Sequence, residues 1–347
     1  MAENETVLLT AAQARTVAEQ IFQSVGMRPA DASVVTDSLV WADLRGIASH
    51  GLARIPSYVQ RLERGALNPR PEVRITASLP AARVIDGDRG PGQLAVSRAM
   101  REAIDLARTA ATGLVAVRGC GHTGAAGYFT QMAATQGMIG IYVGGSRPSM
   151  AYHGTRSKSA ATNPLSIAVP ATDGGVLCLD MATSNAGVGK LRHHRATGTP
   201  LQPGWALDAA GAPTTDPEQA AVLTPAAGPK GSGMSLLFEC VTSLLVGNAL
   251  IAPALLGQAS GPAQNALVMA IDISFFRDLD GYRADIGQLT GALKAQPRAA
   301  GTEAVLMPGE RGDTTMAHRR QHGIPLPAGT WGALRAVAER LGVPTPL

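Results

Sequence analysis

The sequence predicts an α/β protein, because apolar runs of strand length alternate with longer segments of helical periodicity. Seven runs have the length and apolar content of strands, namely 73–76, 82–86, 114–117, 138–143, 165–169, 176–179 and 266–273. Among the longer segments, 94–110 repeats its apolar residues at about 3.6 positions, which is typical of an amphipathic helix. A length of 347 residues allows two or three domains with a sizeable core.

Composition excludes several classes of function. The net charge of +4 is scattered along the chain and only 4% of residues are aromatic, so we expect no nucleic-acid partner. The three cysteines form no C-x-x-C pair, which argues against a zinc site and a disulfide framework and fits a reducing cytoplasm. The first ten residues lack a signal-peptide pattern, and the most apolar segment, 234–256, is interrupted by Glu239, Asn248 and Pro253. We therefore expect no membrane span.

Two helices are predicted at the start of the chain. Thr10 and Gln13 have the spacing of a capping box, and helical periodicity continues from there to Gly26. Pro29 can occupy the first turn of a second helix, which is expected to end near Gly46.

A third helix start is predicted at Ser49, with Pro56 early in the helix. His50 and Arg54 would then lie together at a helix amino terminus. That end of a helix favours an anion, and a guanidinium beside it can bind a carboxylate through two hydrogen bonds. The alternative is that His50 is a histidine of the cap region and Arg54 a solvated surface charge.

The glycine-dense turn at 116–128 carries His122, and we interpret it as the organising centre of the chain. Its glycines spell the dinucleotide fingerprint G-x-G-x-x-G between a strand and a helix. A Rossmann site also needs an acidic residue about 20 positions further on, yet 138–150 contains neither Asp nor Glu. We therefore expect that the glycines instead let the backbone approach a ligand that His122 faces.

Three further positions are candidates for ligand contact. Ser146 follows two glycines at the end of a strand, where small residues let a ligand approach the backbone. Asp180 ends another strand, where open α/β sheets bind ligands, although capping of a turn is an equal alternative for this carboxylate. Lys230 lies in a glycine-rich entry to an apolar helix, which suits a phosphate as well as a solvated lysine.

The carboxyl-terminal region is predicted to be mainly helical. Helices are expected at 282–293 and 330–341, with a basic helical patch at 318–322. His318 and His322 have the spacing of a metal pair, but an arginine stands where the zinc-protease signature has Glu. We expect no metal site there.

Seven motifs follow one another along nearly the whole chain. They are SHGLARIP from Ser49, GHTGAAGY from Gly121, ATNPLSIAVP from Ala161, LDMATS from Leu179, GWALDAAGAPTTDP from Gly204, KGSGMSLL from Lys230 and HGIPLP from His322. In content and order they resemble the malate/L-lactate dehydrogenase family of the second type. That family also contains ureidoglycolate, diketogulonate and sulfolactate dehydrogenases and cyclic-imine carboxylate reductases.

The resemblance implies a non-Rossmann NAD(P)-binding domain with a mixed sheet, residues 119–294. It also implies a second, mainly helical domain on the substrate side, built from both chain ends, 1–118 and 295–347. A homodimer with active sites near the subunit interface, NAD or NADP as cofactor and a small carboxylate as substrate follow from the same resemblance.

Site residues carry over position by position. His50 and His122 match histidines assigned to catalysis in different members, and Arg54 matches a residue that holds the substrate carboxylate. Positions that contact the nucleotide match Ser146, Asp180, Met181, Ala182, Lys230, Gly309, Glu310 and Arg311. The chain departs from the family where relatives read N-S-x-H-F-G before the helix, and where Gly145 replaces a usual asparagine, so the substrate is less transferable than the cofactor.

The implied reaction is hydride transfer between NAD(P)H and the C2 carbonyl of a 2-keto acid. Arg54 would anchor the carboxylate, and a histidine would supply the proton, since the ordinary pKa of imidazole is about 6.5. The spacing of four residues from Arg54 favours His50 over His122 as the acid. Two alternatives remain open: a cyclic-imine carboxylate reductase on the same scaffold, and a non-catalytic nucleotide-binding protein.

Overall fold

A seven-stranded mixed sheet forms the centre of the computed structural model, which describes residues 6–259 and 261–346. In chain order the strands are β1 (Val7–Leu9), β2 (Arg74–Leu79), β3 (Ala82–Asp86), β4 (Thr112–Cys120), β5 (Met138–Ser146), β6 (Leu165–Pro170), β7 (Val176–Met181), β8 (Ala206–Leu207), β9 (Pro213–Thr214), β10 (Val222–Leu223), β11 (Gln264–Asp272) and β12 (Ile324–Leu326).

Helices surround this sheet and form a second layer at the chain ends. They are α1 (Ala11–Ser24), α2 (Pro29–Leu44), α3 (Ile55–Glu63), α4 (Gly92–Ala110), α5 (Ala126–Ala134), α6 (Val188–Thr197), α7 (Pro229–Glu239), α8 (Ile251–Leu255), α9 (Ile273–Phe276), α10 (Leu279–Lys294), α11 (Glu310–His322) and α12 (Ala328–Arg340). A π-helical turn, Cys240–Leu244, extends α7. Within the described residues, no helix is both long and apolar enough to span a membrane.

The strand order in the sheet is β2–β3–β4–β11–β5–β6–β7. The pair β3–β4 is parallel, and the other five pairs between these described strands are antiparallel. Val268 in β11 lies opposite Val115 on one side and Tyr142 on the other, so β11 separates β4 from β5. In a Rossmann unit, the strands before and after the first crossover helix are parallel neighbours in the sheet. Here β11 lies between β4 and β5 and is antiparallel to both, so the sheet excludes the Rossmann fold. The α/β class and the mixed sheet are confirmed.

Helices α4 and α5 cover the sheet through small side chains. Ala95, Ala99 and Ala103 of α4 are fully buried together with Val115 and Val117 of β4. A Cβ built on Gly113 in β4 would lie 2.8 Å from the Ala103 carbonyl carbon. The alanines and this glycine therefore let α4 pack directly on the strand backbone.

Both chain ends share a second hydrophobic core. Phe22 of α1, Leu39 of α2 and Ile55 of α3 pack in one buried cluster with Trp331 and Leu334 of α12. β1 pairs with β12, which ties the two ends together. The expected boundary between residues 118 and 119 falls inside β4, and β2 and β3 precede it in the same sheet. The division into two domains stays a prediction.

Several predicted element boundaries agree with the structure. The Gln13 N–H donates to Thr10 Oγ1 at 3.1 Å, and the Thr10 N–H donates to Gln13 Oε1 at 2.9 Å, which forms the capping box of α1. Pro29 is the first residue of α2. α7, by contrast, begins at Pro229, so Lys230 lies inside its first turn rather than before the helix. Pro229 has no N–H to leave unpaired, which suits the first helical position.

The contact between α4 and β4 yields a stability prediction. Gly113→Ala should lower the free energy of unfolding by about 1–3 kcal/mol, the usual cost of overpacking. Gly332→Ala, at an exposed position of α12 where a Cβ meets open space, should raise it by up to about 1 kcal/mol. Urea unfolding midpoints measure both, and a Gly113→Ala protein as stable as the wild type would contradict the close approach.

Candidate active site

Two short 3₁₀ turns, Ala48–His50 and Leu52–Arg54, carry the first predicted site residues between α2 and α3. The predicted helix start at Ser49 is wrong, because α3 begins at Ile55 with Pro56 as its second residue. A helix that started at residue 50 would place the proline ring against a helical carbonyl, so the helix can begin only near Ile55. His50 and Arg54 consequently lie on a turn rather than in a helical first turn.

The carboxylate of Asp43 holds this turn in place. The Leu52 N–H donates to Asp43 Oδ2 at 2.7 Å, and Asp43 is 2% exposed. A Cβ on Gly51 would overlap the carboxylate, so only glycine fits there. Burial is the main cause that raises the pKa of Asp43 to about 7, while the Leu52 hydrogen bond and the charge of Arg319 act in the opposite direction.

Arg54 has one of its guanidinium nitrogens fixed by the turn. Its Nε–H donates to the Ser49 carbonyl at 2.6 Å, and Ser49 Oγ lies 2.9 Å from His50 Nδ1. Within the described residues the two terminal nitrogens of Arg54 have no hydrogen bond. They form the end of the planar group that can bind a carboxylate through two hydrogen bonds.

The structure brings His50 and His122 together. Their rings stack with centroids 5.3 Å apart and planes 26° apart, and both side chains are half-buried. His122 Nδ1 lies 2.5 Å from the hydroxyl of Tyr58, a residue of α3 that is 2% exposed. The same hydroxyl accepts a hydrogen bond from Gln93 Nε2 at 3.0 Å. The two histidines and Arg54 thus lie close together, and we call the place where they meet the recess.

The recess is electropositive. Burial, and then the charge of Arg54, lower the pKa of His50 to about 4. The pKa of His122 is held well below its ordinary value by burial first and then by Arg54, His50, Arg61 and Arg192. Both imidazoles are therefore neutral near pH 7, and the recess is suited to an anion that would offset the guanidinium charges.

Helix α6 lies against the turn that carries His50 and Arg54, and it supplies Arg192. A Cβ built on Gly189 would overlap the side chain of Ser49, so the helix packs directly on the turn. Sequence reasoning missed Arg192, and also Tyr58 and Gln93. The spacing of four residues from Arg54 to Tyr58 on one chain segment was a usable signal, whereas Gln93 and Arg192 come from distant parts of the sequence.

The glycines of the central turn contact protein rather than open space, which corrects the expectation that they admit a ligand. A Cβ on Gly121 would lie 2.6 Å from Leu67 Cδ2, and one on Gly124 would lie 3.0 Å from Ser38 Oγ. Gly119 and Gly124 also have positive φ angles, +69° and +85°. The glycines therefore let the turn pack against α2 and α4 while it presents His122. The same holds for Gly145, where a Cβ would lie 2.5 Å from Ser243 Oγ.

Asp180 lies at the amino end of α5, immediately after the His122 turn. The Gly127 N–H donates to Asp180 Oδ2 at 2.7 Å. Asp180 is exposed, but the protein around its carboxylate removes part of the solvent, and this burial is the main cause that raises its pKa. The Gly127 hydrogen bond and the charge of Arg45 act in the opposite direction. Asp180 thus caps the amino end of α5, in agreement with the capping alternative for this carboxylate.

The other predicted nucleotide contacts adjoin the end of β7. Ser146 donates its N–H to Asn163 Oδ1 at 2.8 Å, and Asn163 Nδ2 donates to the Ser235 carbonyl of α7 at 3.0 Å. Met181 and Ala182 are half-buried directly after Asp180. Lys230 is exposed, and its neighbour Gly231 packs so that a Cβ would lie 2.5 Å from the Thr183 carbonyl.

The turn that begins α11 lies on the outer edge of the same strand. The Cys178 N–H of β7 donates to the Pro308 carbonyl at 3.0 Å, and Gly309 has a φ of +94°. Glu310 binds Lys294 Nζ at 2.7 Å and accepts the Met307 N–H at 2.8 Å, so its carboxylate is held by protein. Arg311 is exposed. Across 6–259 and 261–346, no group of three His, Cys, Asp or Glu residues could hold a metal ion.

Two stacked histidines lie beside a guanidinium that has no carboxylate partner in the described residues, an arrangement that can bind a carboxylate ligand. The family model of malate/L-lactate dehydrogenase matches residues 9–335. The chain belongs to the malate/L-lactate dehydrogenase family, and it is an oxidoreductase.

Relatives and solved structures agree with this assignment. Malate dehydrogenase of Pyrococcus horikoshii is 35% identical over 93% of this chain and 92% of its own, and its solved structure superposes with a TM-score of 0.90, covering 98% and 97% of the two chains. Ureidoglycolate dehydrogenase (NAD(+)) of Escherichia coli is 33% identical over 87% of each chain. The structure of Δ1-piperideine-2-carboxylate reductase from Pseudomonas syringae is 26% identical, covers 96% of this chain and 100% of its own, and gives a TM-score of 0.83.

The burial of Asp43 predicts a pH-dependent stability. Folding raises the pKa of this carboxyl from 3.8 to about 7, so the folded protein binds the proton more tightly than the unfolded chain. The free energy of unfolding should therefore fall as pH rises from about 4 to about 7, by up to about 4 kcal/mol from this group.

Asp43→Asn removes the titration and keeps an oxygen that accepts the Leu52 N–H. Urea unfolding at several pH values between about 4 and 8 should show a flatter profile for this variant than for the wild type. Glu303→Gln, at an exposed position whose carboxylate has no ion pair or hydrogen bond in the described part of the chain, is the control for replacing a carboxylate by an amide and should keep the wild-type slope. Parallel profiles for wild type and Asp43→Asn would contradict the argument.

Proposed function

We propose that this enzyme transfers a hydride between NAD(P)H and the C2 carbonyl of a small 2-keto acid, and performs the reverse oxidation of the 2-hydroxy acid. The observation that carries the proposal is the cluster in which His50 and His122 stack beside Arg54, whose Nε is held by the turn while its two terminal nitrogens have no hydrogen bond in the described residues. A 2-keto acid presents a carboxylate and an adjacent carbonyl oxygen, which match a guanidinium and an imidazole in turn.

Each residue of the recess has a proposed task. Arg54 binds the substrate carboxylate with its two terminal nitrogens. NAD(P)H, when bound, would supply a hydride to C2; the π electrons of the C2–O bond would pass to the oxygen, and His50 would give that oxygen a proton. The carboxylate offsets the charge of Arg54, which removes the smaller of the two causes of the low pKa of His50, after burial, and so favours its protonated form.

The residues around β7 fit a nicotinamide dinucleotide. Lys230 is an exposed cation in the first turn of α7, where the helix dipole already favours a phosphate. Asp180 uses Oδ2 for the Gly127 N–H and keeps Oδ1 for a hydroxyl or amide donor. We propose that Lys230, Asp180, Met181 and Ala182 hold the cofactor together with Ser146. The Gly309, Glu310 and Arg311 turn completes the proposed nucleotide site.

We further propose a cytoplasmic homodimer. Support for a second copy comes from an exposed apolar surface on α7 and the π-helical turn, formed by Leu236, Leu237, Val241, Leu244 and Leu245. Light scattering on the purified chain measures the mass, and a monomer at micromolar concentration would contradict this proposal.

A second candidate function is reduction of a cyclic imine carboxylate, favoured by the likeness to the piperideine-2-carboxylate reductase structure. An α-imino acid presents the same carboxylate beside a C=N bond, so Arg54 would serve both substrates. A panel of 2-keto acids and cyclic imine carboxylates, run with NADH and with NADPH and followed at the nicotinamide absorbance, separates them. Failure of every pairing despite nucleotide binding would leave a non-catalytic nucleotide-binding protein.

Replacement of Arg54 by lysine tests the carboxylate anchor. Arg54→Lys should lower kcat/KM by about 10- to 100-fold although the charge is kept, because an ammonium cannot reproduce the planar two-point contact. Arg64→Lys, at the exposed end of α3, is the control and should behave as the wild type. Equal activity of Arg54→Lys on acid substrates would make Arg54 a surface charge.

Asparagine variants of the two histidines identify the proton donor. His50→Asn should lower kcat by roughly 10²–10⁴-fold while NAD(P)H binding is kept. In keto-acid reduction the wild-type rate should fall as pH rises through the pKa of His50, since the group must carry a proton. That limb should vanish in His50→Asn and survive in His122→Asn, and the opposite result would reverse the assignment.

A further inference from the structure

A chain of hydrogen bonds runs from the core to the inner edge of His122. Gln93 lies in the first turn of α4 and is fully buried. Its Nε2 lies 3.0 Å from the Tyr58 hydroxyl, and that hydroxyl lies 2.5 Å from His122 Nδ1. The chain therefore connects a side chain that no ligand can reach with a ring that lines the recess.

A backbone amide indicates the direction of the hydrogen bonds in this chain. The Gly124 N–H points at His122 Nδ1 at 3.3 Å, and a backbone N–H can only donate. Nδ1 must therefore present its lone pair. The Tyr58 hydroxyl must then donate its single proton to Nδ1, and its oxygen accepts from Gln93 Nε2.

This direction selects one form of the ring. With Nδ1 as an acceptor, the neutral imidazole carries its hydrogen on Nε2, at the opposite edge. A proton on Nδ1 would face the Gly124 N–H and leave the Tyr58 proton without its acceptor. The imidazolium is thus disfavoured by hydrogen bonding, in addition to the burial and positive charges that lower the pKa of His122.

The environment of Gln93 argues against a role in core packing alone. Within the described residues Gln93 Oε1 is buried and has no hydrogen-bond partner. An unpaired buried carbonyl is destabilising, and an apolar side chain of the same size would avoid that cost. The bond from Nε2 to Tyr58 is the contact that the amide provides and an apolar residue would not.

We infer that Gln93 is a positioning residue that, through Tyr58, holds His122 as the neutral Nε2–H tautomer, so that His122 donates a hydrogen bond to the substrate carbonyl oxygen while His50 transfers the proton. The inference rests on the proposed function and adds a division of labour between the two histidines. A neutral imidazole can polarise a carbonyl without giving up its proton, which separates polarisation from proton transfer.

The ring nitrogens can be observed directly by NMR on the full-length enzyme labelled with ¹⁵N-histidine. The chain has seven histidines, and loss of one pair of signals in His122→Asn assigns the ring. The wild type should show an unprotonated Nδ1 and a protonated Nε2 near pH 7. A protonated Nδ1 in the wild type would overturn the inference, and this arm needs no variant in the core.

Two variants test the chain itself. Gln93→Leu frees the Tyr58 hydroxyl to turn, and Tyr58→Phe removes the donor to Nδ1 while keeping the ring. Both weaken or remove the short hydrogen bond from Tyr58 and leave the long, 3.3 Å contact with the Gly124 N–H to favour the Nε2–H form, so both should give a mixture of tautomers and lower kcat by roughly 10- to 100-fold at little change in KM. The charged or titratable groups that face His122, namely Arg54, Arg61, Arg192 and His50, stay in place in both.

Ser97→Ala is the matched control, because Ser97 is buried one turn further along α4 and its Oγ has no partner in the described part of the chain. It should leave the His122 signals and kcat unchanged. Wild-type nitrogen signals in Gln93→Leu and Tyr58→Phe would overturn the inference. The Nε2–H form in an enzyme that reduces no panel substrate would reject the proposed function and keep the tautomer assignment.

Discussion

The short segment at the end of α2 determines the geometry of both parts of the site. Asp43 accepts the Leu52 N–H and so shapes the turn that presents His50 and Arg54. Two residues later, buried Arg45 donates to the Gly309 carbonyl at 2.9 Å and pairs with Asp313 of α11. The turn that carries His50 and Arg54 and the turn before α11 are therefore fastened to the same helix end, which joins the helical core to the edge of the sheet.

The two charged groups at this helix end differ in how burial affects them. Arg45 is enclosed but has an acidic partner and a carbonyl, so its charge is satisfied. Asp43 has one backbone donor and a more distant guanidinium, and burial raises its pKa. In the recess the charge without a partner is positive, because Arg54 has no carboxylate partner in the described residues. Burial is the main cause of the low pKa of both histidines, and the charge of Arg54 lowers it further. An anionic substrate would complete the charge pairing that the protein leaves open.

Local patterns predicted the elements but not the contacts between them. The capping box of α1 and Pro29 at the start of α2 are decided within four residues, so the sequence was sufficient. The place of β11 between β4 and β5 depends on pairing across more than 100 residues, which periodicity does not encode. The turn at Ser49 was misread because its shape comes from Asp43, a tertiary contact that overrides the local helix signal. Gln93 was missed because its contact with Tyr58 is also a tertiary contact, between residues 35 positions apart in the sequence.

The G-x-G-x-x-G sequence has a different structural role in this protein from the one that it has in a Rossmann unit. In a Rossmann unit the glycines expose a helix amino terminus to a pyrophosphate. Here the corresponding end of α5 is occupied by a protein carboxylate, since Gly127 donates to Asp180 and the Ala126 N–H also contributes to lowering its pKa. A second anion beside Asp180 would be repelled while that carboxylate is ionised. The phosphates of a nucleotide bound here would therefore need a different helix amino terminus. The first turn of α7 provides a helix dipole and the cation of Lys230, and it contains no acidic residue.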